Sequence, residues 1–174
     1  VPLSIPNLRV EVCEAKAHVR IGWMRSVANI YHAFAVHSFI DELAHARGLD
    51  PRANLLELIG PGKTLGLDDL GVKKLPNYGQ PIEQHPVDTR RLRNVVERVT
   101  AASRWEHRQK DGRALGLAAH RSFLSYIAVV VSLGRDARGR LRADEAWICA
   151  DAGTIVNRER VQAQMEGAVI FGLS

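Results

Sequence analysis

Apolar and polar side chains alternate through the first stretch, VPLSIPNLRVEVCEAKAHVRIGWMRSV, with Leu8, Val10 and Val12 and then Val19, Ile21 and Trp23 sharing one side. A period of two belongs to a half-buried strand, so strand pairs are expected here. From Asn29 the period lengthens. Ile30, Ala33, Phe34, Ile40, Leu43 and Ala44 fall near helical spacing, Gly48 supplies a stop, and Pro51 opens a short second helix, PRANLLELI. Between Gly60 and Pro86 the chain is rich in Gly, Pro, Lys and Asp without strong periodicity, which predicts a long loop or surface insertion.

After Pro86, Asp88 is placed to cap a helix that sets Leu92, Val95, Val96 and Val99 on one face. A β region follows, with a strand from Ile127 to Leu133, a turn through Arg135 to Gly139 and a returning strand to Ala150, as an antiparallel pair. Asn157 is placed to cap a last helix that carries Val161, Met165, Val169 and Ile170 into a core, with Glu159 in its first turn. Strands and helices in this mixed order make the fold class α+β, a mixed or antiparallel sheet packed with helices.

Composition narrows the picture only a little. The 174 residues, 46% of them hydrophobic, suffice for one core. The basic excess, 24 Lys and Arg against 19 Asp and Glu, would favour an anionic ligand or partner. Much of it is scattered arginine in TRRLRNVVER and GRDARGRLR, which reads as a solvated face, and no nucleic-acid partner is expected. Cys13 and Cys149 lie far apart in strand-like stretches, without a disulfide framework or CxxC pattern, and are expected to be buried and inert. No apolar run approaches the roughly 20 residues of a membrane helix, so no membrane span is expected.

Several strings invite chemistry. GPGKT, Gly60 to Thr64, resembles a phosphate-binding turn, but Glu57 stands where the full pattern needs glycine and LLELIG before it reads as helix; a plain surface turn is expected. His37 and Asp41, four apart, would share a helix face, yet a lone His–Asp pair is more often a surface or capping contact than a metal site. RSFLSY beside His120 lacks the GxSxG elbow of an acyl-transfer nucleophile. In GWMRS, Arg25 and Ser26 stand between a strand-like stretch and a helix, where backbone N–H groups and a guanidinium together hold an anion; an ordinary surface arginine is the plainer reading. In QMEG, Gly167 inside a helix costs about 1 kcal/mol relative to alanine, which close approach of a neighbouring helix or of a ligand would explain, and Gln164 lies three residues before it.

Taken together, three blocks resemble the molybdopterin-binding large subunit of the xanthine dehydrogenase and aldehyde oxidase family, of the isoquinoline oxidoreductase β-subunit type. They are GWMRSVANIYHAFAVHSFIDELAHARGLDP, GRALGLAAHRSFLSYIAVVVSL and DAGTIVNRERVQAQMEGAVIFGLS, in family order. The resemblance implies a hydroxylase that inserts oxygen from water into an aldehyde or N-heteroaromatic carbon. It also implies a molybdopterin cofactor as its cytosine dinucleotide, and a separate small subunit whose iron–sulfur clusters take the electrons. By the resemblance, Arg25 and Ser26 fall on a loop that approaches the molybdenum cofactor, Val27 on a position facing the substrate channel, Gln164 on a glutamine near the pterin, and Gly167 where backbone approaches closely. Ala28, His37 and Ala152 depart from the family's glycine, glutamate and cysteine.

No residue here matches the family's catalytic glutamate, which lies in a Gly-rich motif elsewhere in the subunit. Residues 1–174 are therefore expected to be a single piece of a molybdopterin-binding domain, with an insertion near 60–86 and no turnover of its own. The compartment stays open between cytoplasm and periplasm. The rival reading is a noncatalytic α+β interaction module that binds an acidic partner through its arginines.

Overall fold

A computed structural model describes residues 2–173. In chain order its elements are α1 (Asn29–Ala46), α2 (Pro51–Ile59), β1 (Thr64–Leu65), β2 (Val87–Asp88), α3 (Thr89–Ala102), β3 (Ala114–Ser122), β4 (Ser125–Arg135), β5 (Leu141–Asp151) and α4 (Arg158–Leu173). The strands form two antiparallel sheets, a small β1–β2 pair and a three-stranded sheet in the order β3–β4–β5. The fold class is α+β.

The core assembles on α3. Asp88, with extended backbone, caps it by accepting from the Arg90 N–H at 2.8 Å. Leu92, Val95, Val96 and Val99 recur at helical spacing and are at most 1% exposed. They pack with Leu55 and Ile59 of α2, Ile40 of α1, and Ala119, Tyr126, Ala128 and Val130 of the sheet. Polar ties fix the arrangement at its ends. The Asp88 N–H donates to the Tyr126 hydroxyl at 2.7 Å. Arg91 reaches from α3 to both carboxylate oxygens of Asp151 at 2.7 and 2.6 Å while lying over the Tyr126 ring, which pins the last rung of β5. Asp50 caps α2 through the Ala53 N–H and also accepts from the buried Trp105 indole at 3.0 Å.

Register decides which side chains face which helix. The rung Ala119–Ala128–Cys149 points into the core, and the next rung, His120–Ile127–Ala150, points to the opposite face of the sheet. Helix α4 lies over that second face, so the sheet separates the α2–α3 layer from α4, while the start of α1 reaches the α4 side at Ile30.

The structure departs from the sequence expectations in several places. Residues 8–23 form no strand: Leu8, Val10, Val12, Val19, Ile21 and Trp23 are 76% to 93% exposed on unpaired extended chain. Alternation records a face suited to burial; a strand also needs a neighbour to complete its ladder, and none lies beside this segment among the described residues. Cys13 is consequently exposed, whereas Cys149 is half-buried in β5, and burial pushes its thiol up. The expected strand pair is a three-stranded sheet. The β3–β4 turn escapes its usual signature because Phe123 and Leu124 adopt left-handed backbone (φ 47° and 68°) where Gly or Asn is customary. On α4, Val161, Met165 and Val169 are half-buried against β5 and Ile170 is 69% exposed, so the helix covers the sheet loosely and adds nothing fully buried. On α1 the buried residues are His37, Ile40 and Ala44, while Phe34 is 75% exposed.

His37 therefore does not pair with Asp41, which is exposed. Both its ring nitrogens are buried without a hydrogen-bond partner. Burial pushes the ring down to about 4, against a weaker opposing influence from the Ala119 backbone, which lies close but short of hydrogen-bonding geometry. A histidine whose folded value is depressed is neutral in the fold and protonates first in the unfolded chain, so its stabilising share is whole above 6.5 and is lost as pH falls from 6.5 towards 4.

This packing sets two expectations. In denaturant titrations Leu92→Ala loses about 2–5 kcal/mol of stability, whereas Phe34→Ala stays within about 0.5 kcal/mol of the parent. The parent's unfolding midpoint declines between pH 6.5 and 4, and His37→Leu flattens that decline; an unchanged slope in the variant would remove His37 as its cause.

Candidate functional site

Four of the five residues assigned by resemblance line one cleft. Its volume is about 780 Å³, and its walls are Met24, Arg25, Ser26 and Ile30 on one side and Gln164, Gly167, Ala168 and Phe171 of α4 on the other. Arg25 and Ser26 thus meet Gln164 and Gly167 from opposite ends of the chain. Val27 does not line the cleft; it is 41% exposed on the adjoining backbone.

Helix α4 builds its wall by dividing its faces. Asn157 caps it, accepting from the Arg160 N–H at 2.9 Å. Val161, Met165 and Val169, four apart, turn towards β5 and, with Ala146, Ile148 and Ala150, line a gap of about 730 Å³ between helix and sheet. Gln164, Gly167, Ala168 and Phe171 then fall on the flank that faces the loop. Gln162 is held by Glu166 at 2.8 Å, while the Gln164 amide has no hydrogen-bond partner among the described residues. A Cβ built on Gly167 would meet nothing within 4 Å, so no packed neighbour among the described residues accounts for the glycine.

The opposing wall is a strained turn. Ser26 and Val27 both hold left-handed backbone, φ 68° and 49°, and for a β-branched residue such as Val27 that conformation is rare. The turn closes locally through Val27 N–H to the Met24 carbonyl at 3.0 Å and Asn29 N–H to the Ser26 carbonyl at 2.9 Å. It feeds into α1, whose N-cap is Ala28 without a capping side chain and whose first turn carries no acidic residue. The positive end of α1 therefore lies beside the cleft without a local carboxylate, and the Arg25 guanidinium has no carboxylate partner among the described residues. Apolar walls with one free cation, one hydroxyl and one free amide suit a ligand that is largely flat and apolar and carries an anionic group.

The other candidate strings resolve as structure. GPGKT follows helix α2 and turns at Gly60 (φ 75°); Lys63 pairs with Asp69 at 2.7 Å, and Thr89 accepts from the Lys63 N–H at 2.9 Å. Among the described residues no group of three or more His, Cys, Asp or Glu could hold a metal ion. His120 contacts the Asn29 side chain, Nε2 to Oδ1 at 3.0 Å, and its Nδ1 is buried without a hydrogen-bond partner. Residue spacing could not have revealed this contact, since the two residues are 91 positions apart.

Comparison with known proteins is consistent over nearly the whole chain. It is 31% identical over 168 residues to a membrane-bound aldehyde dehydrogenase (pyrroloquinoline-quinone) of Gluconacetobacter polyoxogenes, covering 92% of this chain and 20% of that protein. It is 30% identical over 175 residues to a nicotinate dehydrogenase subunit of Pseudomonas putida, covering 99% of this chain and 14% of that protein. It is 26% identical over 179 residues to the β-subunit of isoquinoline 1-oxidoreductase of Brevundimonas diminuta, covering 19% of that protein. The chain thus spans a fifth or less of the length of these relatives. No family model matches it, and no solved structure matches it significantly. No described helix is long and apolar enough to cross a membrane. What the comparisons establish is that the chain is similar, from end to end, to one segment of large oxidoreductase proteins named for aldehyde, nicotinate and isoquinoline, two of them named as subunits.

Proposed function

We propose that this chain is a segment of the large subunit of a molybdenum hydroxylase, of the isoquinoline oxidoreductase β-subunit type, and forms one wall of its molybdopterin site. The observation that carries the reading is the convergence of Arg25, Ser26, Gln164 and Gly167 on one cleft from opposite ends of the chain. The cleft fits such a cofactor. Arg25 and the uncapped start of α1 offer positive potential to its phosphates, and the Ser26 hydroxyl offers a donor. The Gln164 amide, with two donors and an acceptor, suits the edge of a pterin, and the open flank at Gly167 lets a flat ring approach the helix backbone.

When bound, the molybdenum centre supplies the redox chemistry that hydroxylates an aldehyde or N-heteroaromatic carbon with oxygen from water. The residues of this chain bind and orient: Arg25 and Gln164 fix the two ends of the cofactor, the apolar walls exclude water, and Val27 borders the path of the substrate. The base, the iron–sulfur clusters and the small subunit that carries them lie outside this chain. The cofactor is carried as the cytosine dinucleotide. Residues 8–23, apolar on alternate positions and exposed, are the surface that other parts of the full-length protein cover. One relative's name instead specifies pyrroloquinoline quinone, whose carboxylates Arg25 would equally attract.

Metal and cofactor analysis of the purified full-length subunit with its partner separates these readings. Stoichiometric molybdenum with a pterin is the expected result, and Arg25→Ala lowers its retention about 10- to 100-fold, the loss of one charged hydrogen bond. Bound quinone without molybdenum would favour the cofactor in that relative's name. Neither group, with salt-sensitive binding to a polyanion, would favour the noncatalytic module.

A further inference from the structure

The two walls of the cleft lie on one side of the sheet. Helix α4 covers the Ala150 face of β5 across a gap. His120 of β3 lies on the same rung and the same face, two strands away. Its Nε2 stands 3.0 Å from Asn29 Oδ1, and Asn29 Nδ2 donates to the Ser26 carbonyl at 3.1 Å. Because Asn29 uses its amide nitrogen on Ser26, its oxygen faces His120 and can only accept. His120 is therefore the donor, with its proton on Nε2. The bare Nδ1 is buried without a partner, which disfavours a second proton on the ring.

The Ser26–Val27 turn needs such a tie. Left-handed backbone costs roughly 1–2 kcal/mol per residue, and it persists only where surrounding structure holds it. The turn's own backbone bonds, Val27 to Met24 and Asn29 to Ser26, are local and do not set its position relative to the sheet. Helix α1 has no capping side chain to do so either. Among the described residues, the hydrogen-bonded tie from residues 24–29 to the sheet is the His120–Asn29 contact.

We propose that His120 and Asn29 are positioning residues: the chain of donated bonds from His120 to Asn29 to the Ser26 carbonyl sets the Arg25–Ser26 loop at a fixed distance from α4 and so sets the width of the cleft. This rests on the reading that the cleft holds the cofactor. Neither side chain lines the cleft, so both act through the loop backbone.

The experiment measures molybdenum and pterin per folded subunit in the full-length enzyme, with circular dichroism to confirm folding. Asn29→Ala, at the partly exposed start of α1, and His120→Ala each lower cofactor content about tenfold, the scale of one lost hydrogen bond in a constrained network. His120→Gln, whose amide can still donate to Asn29, retains most of it, and the double variant is no emptier than either single one. Full content in Asn29→Ala overturns the proposal, as do equal losses in His120→Gln and His120→Ala or additive losses in the double variant. Arg25→Ala is the control. Loss there with full content in the Asn29 and His120 variants refutes the positioning alone, whereas full content in Arg25→Ala removes the cofactor reading and this proposal with it.

Discussion

Burial of one face of α3 is the constraint on which the rest depends. Leu92, Val95, Val96 and Val99 are sealed between α1 and α2 on one side and the β3–β4–β5 sheet on the other. At about 1.5–3 kcal/mol for each such side chain, this face outweighs the surface ion pairs, each worth about 1 kcal/mol or less. Once α3 is seated, Arg91 holds Asp151, and the end of β5 is fixed where the chain departs towards α4.

The second face of the sheet is then free for α4 and for the loop before α1, and it is covered lightly. No residue of α4 is fully buried. Loose cover leaves room for the cleft, lined by a helix flank and a strained turn. The pattern is that of a rigid scaffold on one side and an open cleft on the other, with backbone strain at the cleft.

Much of the scaffold was legible in the sequence because its signals are local. Pro51 announces α2, Asp88 announces α3, and the apolar spacing of α3 points to the face it buries. The alternation of residues 8–23 misled, since it states a preference for a partner and not the partner's presence. The β3–β4 turn was missed because Phe123 and Leu124 take a conformation that their residue types seldom adopt. The candidate site was reached in another way. Arg25, Ser26, Gln164 and Gly167 came from resemblance to a family, and local physics left an ordinary surface arginine and a packed helical glycine as live alternatives. Among the described residues no neighbour stands within 4 Å of a Cβ built on Gly167. His120 and Asn29 carry no pattern at all, because their contact exists only once α1 and β3 have docked.

The most direct test is a crystal structure of the full-length subunit loaded with its cofactor. The expected result is cofactor density in the cleft between the Ser26–Val27 turn and α4, with an anionic oxygen about 3 Å from the Arg25 guanidinium and a ring against the Gly167 flank. Cofactor bound elsewhere, with Arg25 turned to solvent or to a carboxylate and the cleft filled by protein side chains, would contradict it.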